Sequence, residues 1–143
     1  MNDSPAQILR EHLIQAGLIE DENGATWPSY FDHMPSGKDK QEVVSIHNAV
    51  GLKDGRLMTG EEIEHPGIQI RVRARAYATG YQKLSAIADE LSNISQRLLV
   101  MSAISSYNIS SVSRTSPVLP LGVEPETRCH LFSLNCLATI TSL

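Results

Sequence analysis

GEEIEHPGIQIRVRARAYATGYQKLSAIADEL, residues Gly60–Leu91, carries the change of periodicity on which the fold turns. From Ile68 the apolar positions recur at every second residue. Ile68, Ile70, Val72, Ala74 and Ala76 share one face, while Gln69, Arg71, Arg73 and Arg75 share the other. A period of two is that of a strand, whose side chains alternate between the faces of a sheet. From Tyr77 the spacing lengthens. Tyr77, Tyr81, Leu84, Ala88, Leu91, Ile94 and Leu98 fall at roughly 3.6-residue intervals and predict an amphipathic helix of about five turns. Ahead of the strand, Glu61, Glu62, Glu64 and His65 read as an acidic loop that Pro66-Gly67 punctuates.

Outward from this centre, Ser4 followed by Pro5 predicts a helix N-terminus, with Ile8, Leu9, Leu13 and Ala16 at helical spacing and Gly17 as the stop. Trp27–Met34 (WPSYFDHM) predicts a short strand, Pro35–Lys40 a loop, and Glu42–Ala49 a second strand. Gly51–Gly60 contains Asp54-Gly55, a turn signal. Leu99–Arg114 is strand-like and rich in serine, Ser116–Pro125 reads as a proline-bearing loop or edge segment, and Arg128–Thr141 as a long strand, apolar on both faces for part of its length. The order of helix, strands, helix, strands predicts an α+β fold. It is a mostly antiparallel sheet with an N-terminal helix and a longer central helix packed on one face. Residues 1–143 form a single domain on this reading, since no linker, repeat or low-complexity tract divides them.

The composition, with 41% apolar, 20% charged and 5% aromatic residues, is that of a globular chain with a real core. A net charge of −4 argues against affinity of the whole chain for nucleic acid. The charge is uneven: residues 1–66 hold 12 acids against 5 bases, and residues 67–143 hold 4 acids against 7 bases. Either the halves neutralise each other within one fold, or one copy's acidic surface meets a neighbour's basic one. Cys129 and Cys136 make neither a disulfide framework nor a metal site and fit free thiols in a reducing cytoplasm. No apolar run approaches the roughly 18 residues of a membrane span, so no membrane partner is expected.

Catalytic signals are missing. There is no Gly-x-Ser-x-Gly elbow, Walker loop or dinucleotide fingerprint. Glu61, Glu62, Glu64 and His65 offer metal-type ligands that nothing at recognisable spacing completes. His12, His33, His47 and His130 are scattered. No enzyme, metal site or cofactor is therefore expected.

The row Arg71, Arg73, Arg75 remains. Guanidinium groups on alternate residues stand about 7 Å apart along a strand, each able to fork onto a carboxylate or phosphate. They fit a subunit interface whose acceptors include Glu61, Glu62 and Glu64. The alternatives are a small nucleic-acid-binding module using the same strand face, which lacks interleaved stacking aromatics, and a solvated sheet face.

The string Asp54–Lys83 (DGRLMTGEEIEHPGIQIRVRARAYATGYQK) resembles the central segment of a family of bacteriophage minor capsid proteins, also described as tail terminators or tail completion proteins. WPSYFDHMP is similar to that family's early strand, and Arg128 with LFSLNCLATI to its final one. The resemblance implies a structural virion protein at the tail–neck junction, assembled in the host cytoplasm. Such proteins form a homo-oligomeric ring, typically a hexamer, on the head-proximal end of the tail tube. The ring stops tube polymerisation and meets head-completion or connector proteins. Phage DNA would pass through its lumen without specific binding. An arginine-lined conduit would hold phosphates, so the channel wall is expected to be net acidic, supplied by the N-terminal half.

Overall fold

The computed structural model describes residues 2–35, 42–56 and 62–143. Among them the element order is α1 (Pro5–Gln15), β1 (Ser29–Phe31), β2 (Val43–Arg56), β3 (Glu62–Ala74), α2 (Tyr77–Ser92), β4 (Arg97–Val100), β5 (Ser106–Arg114), β6 (Leu119–Val123) and β7 (His130–Ser142). The strands form one sheet in the order β1-β2-β3-β7-β5-β4, with β6 paired to β7. β1 runs parallel to β2 and every other pairing is antiparallel. The expected α+β class is the observed one.

The ends of α1 follow from sequence. The Ser4 hydroxyl accepts the Gln7 N–H at 3.2 Å, and the Gln7 side chain accepts the Ser4 N–H at 2.7 Å, a reciprocal cap with Pro5 in the first turn. At the other end Gly17 takes φ +80°, its N–H reaching Ile14 O at 3.0 Å while Leu18 N–H reaches Leu13 O at 3.1 Å. That pair of bonds is a Schellman stop, which glycine enters without a Cβ penalty.

The cross-strand register turns the two-residue period into two faces. Val44, Val72 and Phe132 stand in one row, and Ile46, Ile70 and Leu134 in another on the same side. These residues are fully buried beneath both helices, in one cluster with Ile8, Leu9 and Leu13 of α1 and Leu84, Ile87 and Leu91 of α2. His12 of α1 meets Glu90 of α2 at 3.1 Å and ties the helices together. Gly80 lets α2 lie close on the sheet, because a Cβ there would stand 2.6 Å from the Phe132 ring. The opposite face carries the rows Val43–Arg73–Leu131 and Ser45–Arg71–Ser133.

Several local expectations give way to pairing. The Asp54-Gly55 pair, expected as a turn, lies inside β2, and Pro66-Gly67, expected to mark the entry to β3, lies inside that strand. β2 holds one extra residue between Ala49 and Leu52 and another between Lys53 and Arg56, relative to its partner. Gly51 and Gly55 fall in these bulges, and Pro66 lies opposite the first, where a missing N–H is tolerated. A Cβ on Gly51 would meet His65 O at 2.1 Å and one on Gly67 would meet Val50 O at 2.3 Å, so both glycines serve close backbone approach. The acidic loop is likewise corrected: Glu62, Glu64 and His65 belong to β3, and Glu61 lies outside the described residues. Most of the expected loop Pro35–Lys40 also lies outside them.

The first aromatic strand contracts to Ser29–Phe31, bracketed by Trp27 (φ +49°) and Asp32 (φ +57°). β3 ends at Ala74, so Arg75 and Ala76 leave the alternation. The central helix ends at Ser92 rather than running on to Leu98, which lies exposed on β4 beside buried Leu99. Gln96, at φ +54°, redirects the chain between them. The serine-rich region divides into β4 and β5, and the proline-bearing segment forms β6, the edge strand that was one of its two readings.

Candidate subunit interface

The three arginines share a sequence pattern but not an environment. Arg71 is exposed on the face of the sheet away from the helices, between Ser45 and Ser133. Arg75 is exposed beyond the end of β3. Arg73, by contrast, is 1% exposed and is the largest fully buried side chain among the described residues. Its Nη1 donates to the Pro35 carbonyl at 2.6 Å and lies 3.7 Å from Glu124 Oε1. The row of three is therefore a pair of exposed cations around a buried one.

The buried site is built by chain segments far apart in sequence. Val43 and Leu131 flank Arg73 on neighbouring strands and exclude water from its stem. Glu124 is placed by the β6–β7 turn, where Arg128 N–H reaches Glu124 O at 2.8 Å and Glu124 N–H reaches Cys129 O at 2.9 Å. The Thr127 hydroxyl donates to Glu124 Oε1 at 3.1 Å and fixes the carboxylate. Arg73 thus joins the segment after β1 to the turn before β7, across the outer face of the sheet. Sequence periodicity assigns its face correctly but carries no sign of this cover. The one available signal is that β7 is apolar on both faces, which implies that something shields its outer side near Leu131.

Arg71 acts on an imidazole on its own face of the sheet. His47, on the same face, is held below the ordinary imidazole range, first by burial and then by Arg71, with Asp32 opposing. Its Nε2 lies 2.8 Å from the Ser45 hydroxyl. Such a face suits carboxylate groups of a partner.

Beside Arg75 the start of α2 carries a feature the sequence reading assigned to the core. Tyr77 and Tyr81 are 49% and 42% exposed. Their rings stack at 6.3 Å with 9° between planes, and both meet Phe132 edge-on, at 5.1 and 6.2 Å. Tyr77 also meets His130 at 5.5 Å. Exposed tyrosines on a rigid base next to an arginine have the composition of an interface anchor. Their helical spacing hid them, because it matches the stripe of Leu84, Ala88 and Leu91 that α2 buries.

Of the expected carboxylate acceptors, Glu62 and Glu64 lie on β3, opposite Arg56 and Lys53 of β2. Glu64 also stands opposite Ile140 of β7. Glu61 lies outside the described residues. Within the described residues the arginines' acidic partner is Glu124, which the sequence reading did not single out.

A family model described as "Bacteriophage tail terminator protein" matches residues 12–121. No curated protein matches the chain. Among solved structures, a chain described as "Virion of native gene transfer agent (GTA) particle" is similar at 19% identity and a TM-score of 0.48, over 94% of this chain and 90% of that one.

Proposed function

The chain belongs to the bacteriophage tail terminator family, whose members are structural and non-enzymatic virion proteins, and from that premise we propose that it closes the tail tube as a ring. In this reading copies associate head to tail, in a hexamer, on the head-proximal end of the tube. The ring halts addition of tail-tube protein and offers its other face to a head-completion or connector protein. DNA passes through the lumen without specific binding. A heterologous contact closes into a ring when its rotation divides the circle, and charged pairs across it fix register more than they add affinity.

The observation that carries the reading is the division of the arginine row. Arg71 and Arg75 are exposed cations at the junction of the sheet with α2, and Arg73 between them is buried and bound to Pro35 and Glu124 of its own chain. We assign Arg71 and Arg75 to contacts with carboxylates of another subunit, with Glu61, Glu62 and Glu64 among the acceptors. Arg73 serves the same surface from within its own chain. The division also counts against the nucleic-acid module, because a phosphate-tracking row would lose its central member. The test is the assembly mass of Arg71→Ala/Arg75→Ala against the parent chain, by native mass spectrometry. Weakened rings with an unchanged melting temperature support the assignment, and rings of unchanged stability overturn it.

A further inference from the structure

At the level of Phe132 the two margins of the sheet differ in kind. One row runs Ser29, Val44, Val72, Phe132, Pro120, and the next runs Tyr30, Ser45, Arg71, Ser133, Leu119. β1 and β6 thus end the same rows on opposite sides. The β6 margin is apolar and carries more exposed arginine than acid: Glu126 is exposed in the turn after it, while Glu124 lies against Arg73. Leu119, Leu121 and Val123 are 40%, 49% and 53% exposed, and the exposed Arg114 and Arg128 flank β6 before and after it. The β1 margin is acidic, with exposed Asp21 in the turn before the strand and exposed Asp32 just after it. Tyr30 and Phe31 supply half-buried aromatic surface between them, Tyr30 on the outer face and Phe31 on the helix side, where the Arg10 guanidinium lies 4.5 Å over its ring.

We propose that the β6 margin of one copy docks on the β1 margin of the next, Leu119, Leu121 and Val123 against Tyr30 and Phe31, with the arginines at the rim facing Asp21 and Asp32. This rests on the ring reading above and names its lateral surface. An edge strand with three exposed apolar side chains is a feature natural proteins cover. A second copy fits as the cover because its opposite margin carries the complementary charge. Twofold pairing of β6 with β6 fits less well: antiparallel strands would bring Arg114 of each copy toward Arg128 of the other, with the single exposed Glu126 offsetting that like charge only in part, whereas the β1 margin offers Asp21 and Asp32. The contact is therefore head to tail, the kind that closes into rings.

The backbone says how the margins meet. Pro120 has no N–H to offer, Gly122 at φ +101° lies at a register shift, and the Ser29 N–H already reaches Glu20 O at 2.9 Å. Both edges are closed to strand addition. The joint is made by side chains, an apolar centre with a charged rim. Arg71 lies two strands in from β6, about 10 Å away, within reach of a neighbour overlapping that margin.

The buried state of both native thiols makes cross-linking a clean test. The full chain carrying Leu121→Cys and Asp21→Cys together, treated with a short bismaleimide, is expected to give a ladder of covalent multimers ending at the ring size. Each single variant is expected to stay a monomer on a denaturing gel. Dimers from Leu121→Cys alone would show twofold β6 contact and overturn the proposal, as would no ladder from the pair while native mass spectrometry still shows rings. In that last case the ring reading stands. A parent chain that forms no ring, alone or on tail tubes, overturns both. As a second arm, Arg128→Glu raises the concentration for half-assembly roughly tenfold or more, and Asp21→Arg in the same chain restores it in part. Equal half-assembly concentrations for all three chains would overturn the proposal.

Discussion

Replacing Arg73 by methionine separates a buried structural cation from an interface one. Methionine keeps a flexible apolar stem between Val43 and Leu131 and removes the charge. The Pro35 carbonyl loses a charged donor at 2.6 Å, and Glu124, a quarter exposed, loses a cation 3.7 Å away. Hydrogen bonds to charged groups contribute about 1.5–3 kcal/mol. Breaking a fully buried pair costs about 3–5 kcal/mol, but Glu124 can hydrate, so the carboxylate adds little. The expected loss is about 2–3 kcal/mol. For a chain of this length the unfolding entropy is about 0.3 kcal/mol/K, which converts that loss into a drop in Tm of roughly 6–10 °C. Arg71→Met, at an exposed position, should lie within about 0.5 kcal/mol of the parent. Thermal melts and urea titrations of the two variants make the comparison. If Arg73→Met melts with Arg71→Met, or keeps its stability while losing assembly, the division of the arginine row is wrong. A double-mutant cycle with Glu124→Gln should give a coupling of no more than about 1 kcal/mol.

Three further outcomes probe the core and its titrating groups. His12 and His47 are both held below the ordinary range chiefly by burial, with Glu90 raising His12 and Arg71 lowering His47 further. Below about pH 6.5 the unfolded chain therefore binds more protons than the folded one, so stability present above that pH is lost on acidification. The urea midpoint should fall between about pH 7.5 and 5.5, and His12→Gln should flatten the slope; a midpoint that rises on acidification contradicts this. Gly80→Ala gains helix propensity of about 1 kcal/mol but sets a methyl 2.6 Å from the Phe132 ring, for a net loss of about 1–2 kcal/mol. A stabilised variant would mean that Phe132 yields freely. Burial pushes the Cys136 thiol up to about 11, with Arg114 opposing, and Cys129 is also buried. Both should react with a disulfide reagent at neutral pH at least about a hundredfold more slowly folded than in denaturant. Fast labelling of the native chain would refute their burial.

The fold was legible wherever one local rule acted alone. The switch of period between Ala74 and Tyr77, the Ser4-Pro5 start and the Gly17 stop were readable because local chemistry and tertiary packing agree there. Asp54-Gly55 and Pro66-Gly67 misled because their signals are shared between turns and bulges. The β2–β3 ladder, which decides between the two, lies outside any short window. Leu98 continued the helical spacing by coincidence, while Gln96 turned the chain and exposed it. At the candidate site, alternation placed Arg71 and Arg73 on one face correctly. Their difference in burial depends on Pro35 and Glu124, which only the folded sheet brings to Arg73. Tyr77 and Tyr81 matched a core stripe, yet at the start of α2 they overhang Phe132 and remain half in water.

Polymerisation of the cognate tail-tube protein with and without this chain tests the central claim most directly. With the chain added in slight excess over tube ends, tube growth should stop. Electron microscopy should then show a ring of this protein at one end of each tube. Arg71→Ala/Arg75→Ala should leave more tubes uncapped and longer at the same concentration. Tubes that grow to the same length with no added density at either end would contradict the account.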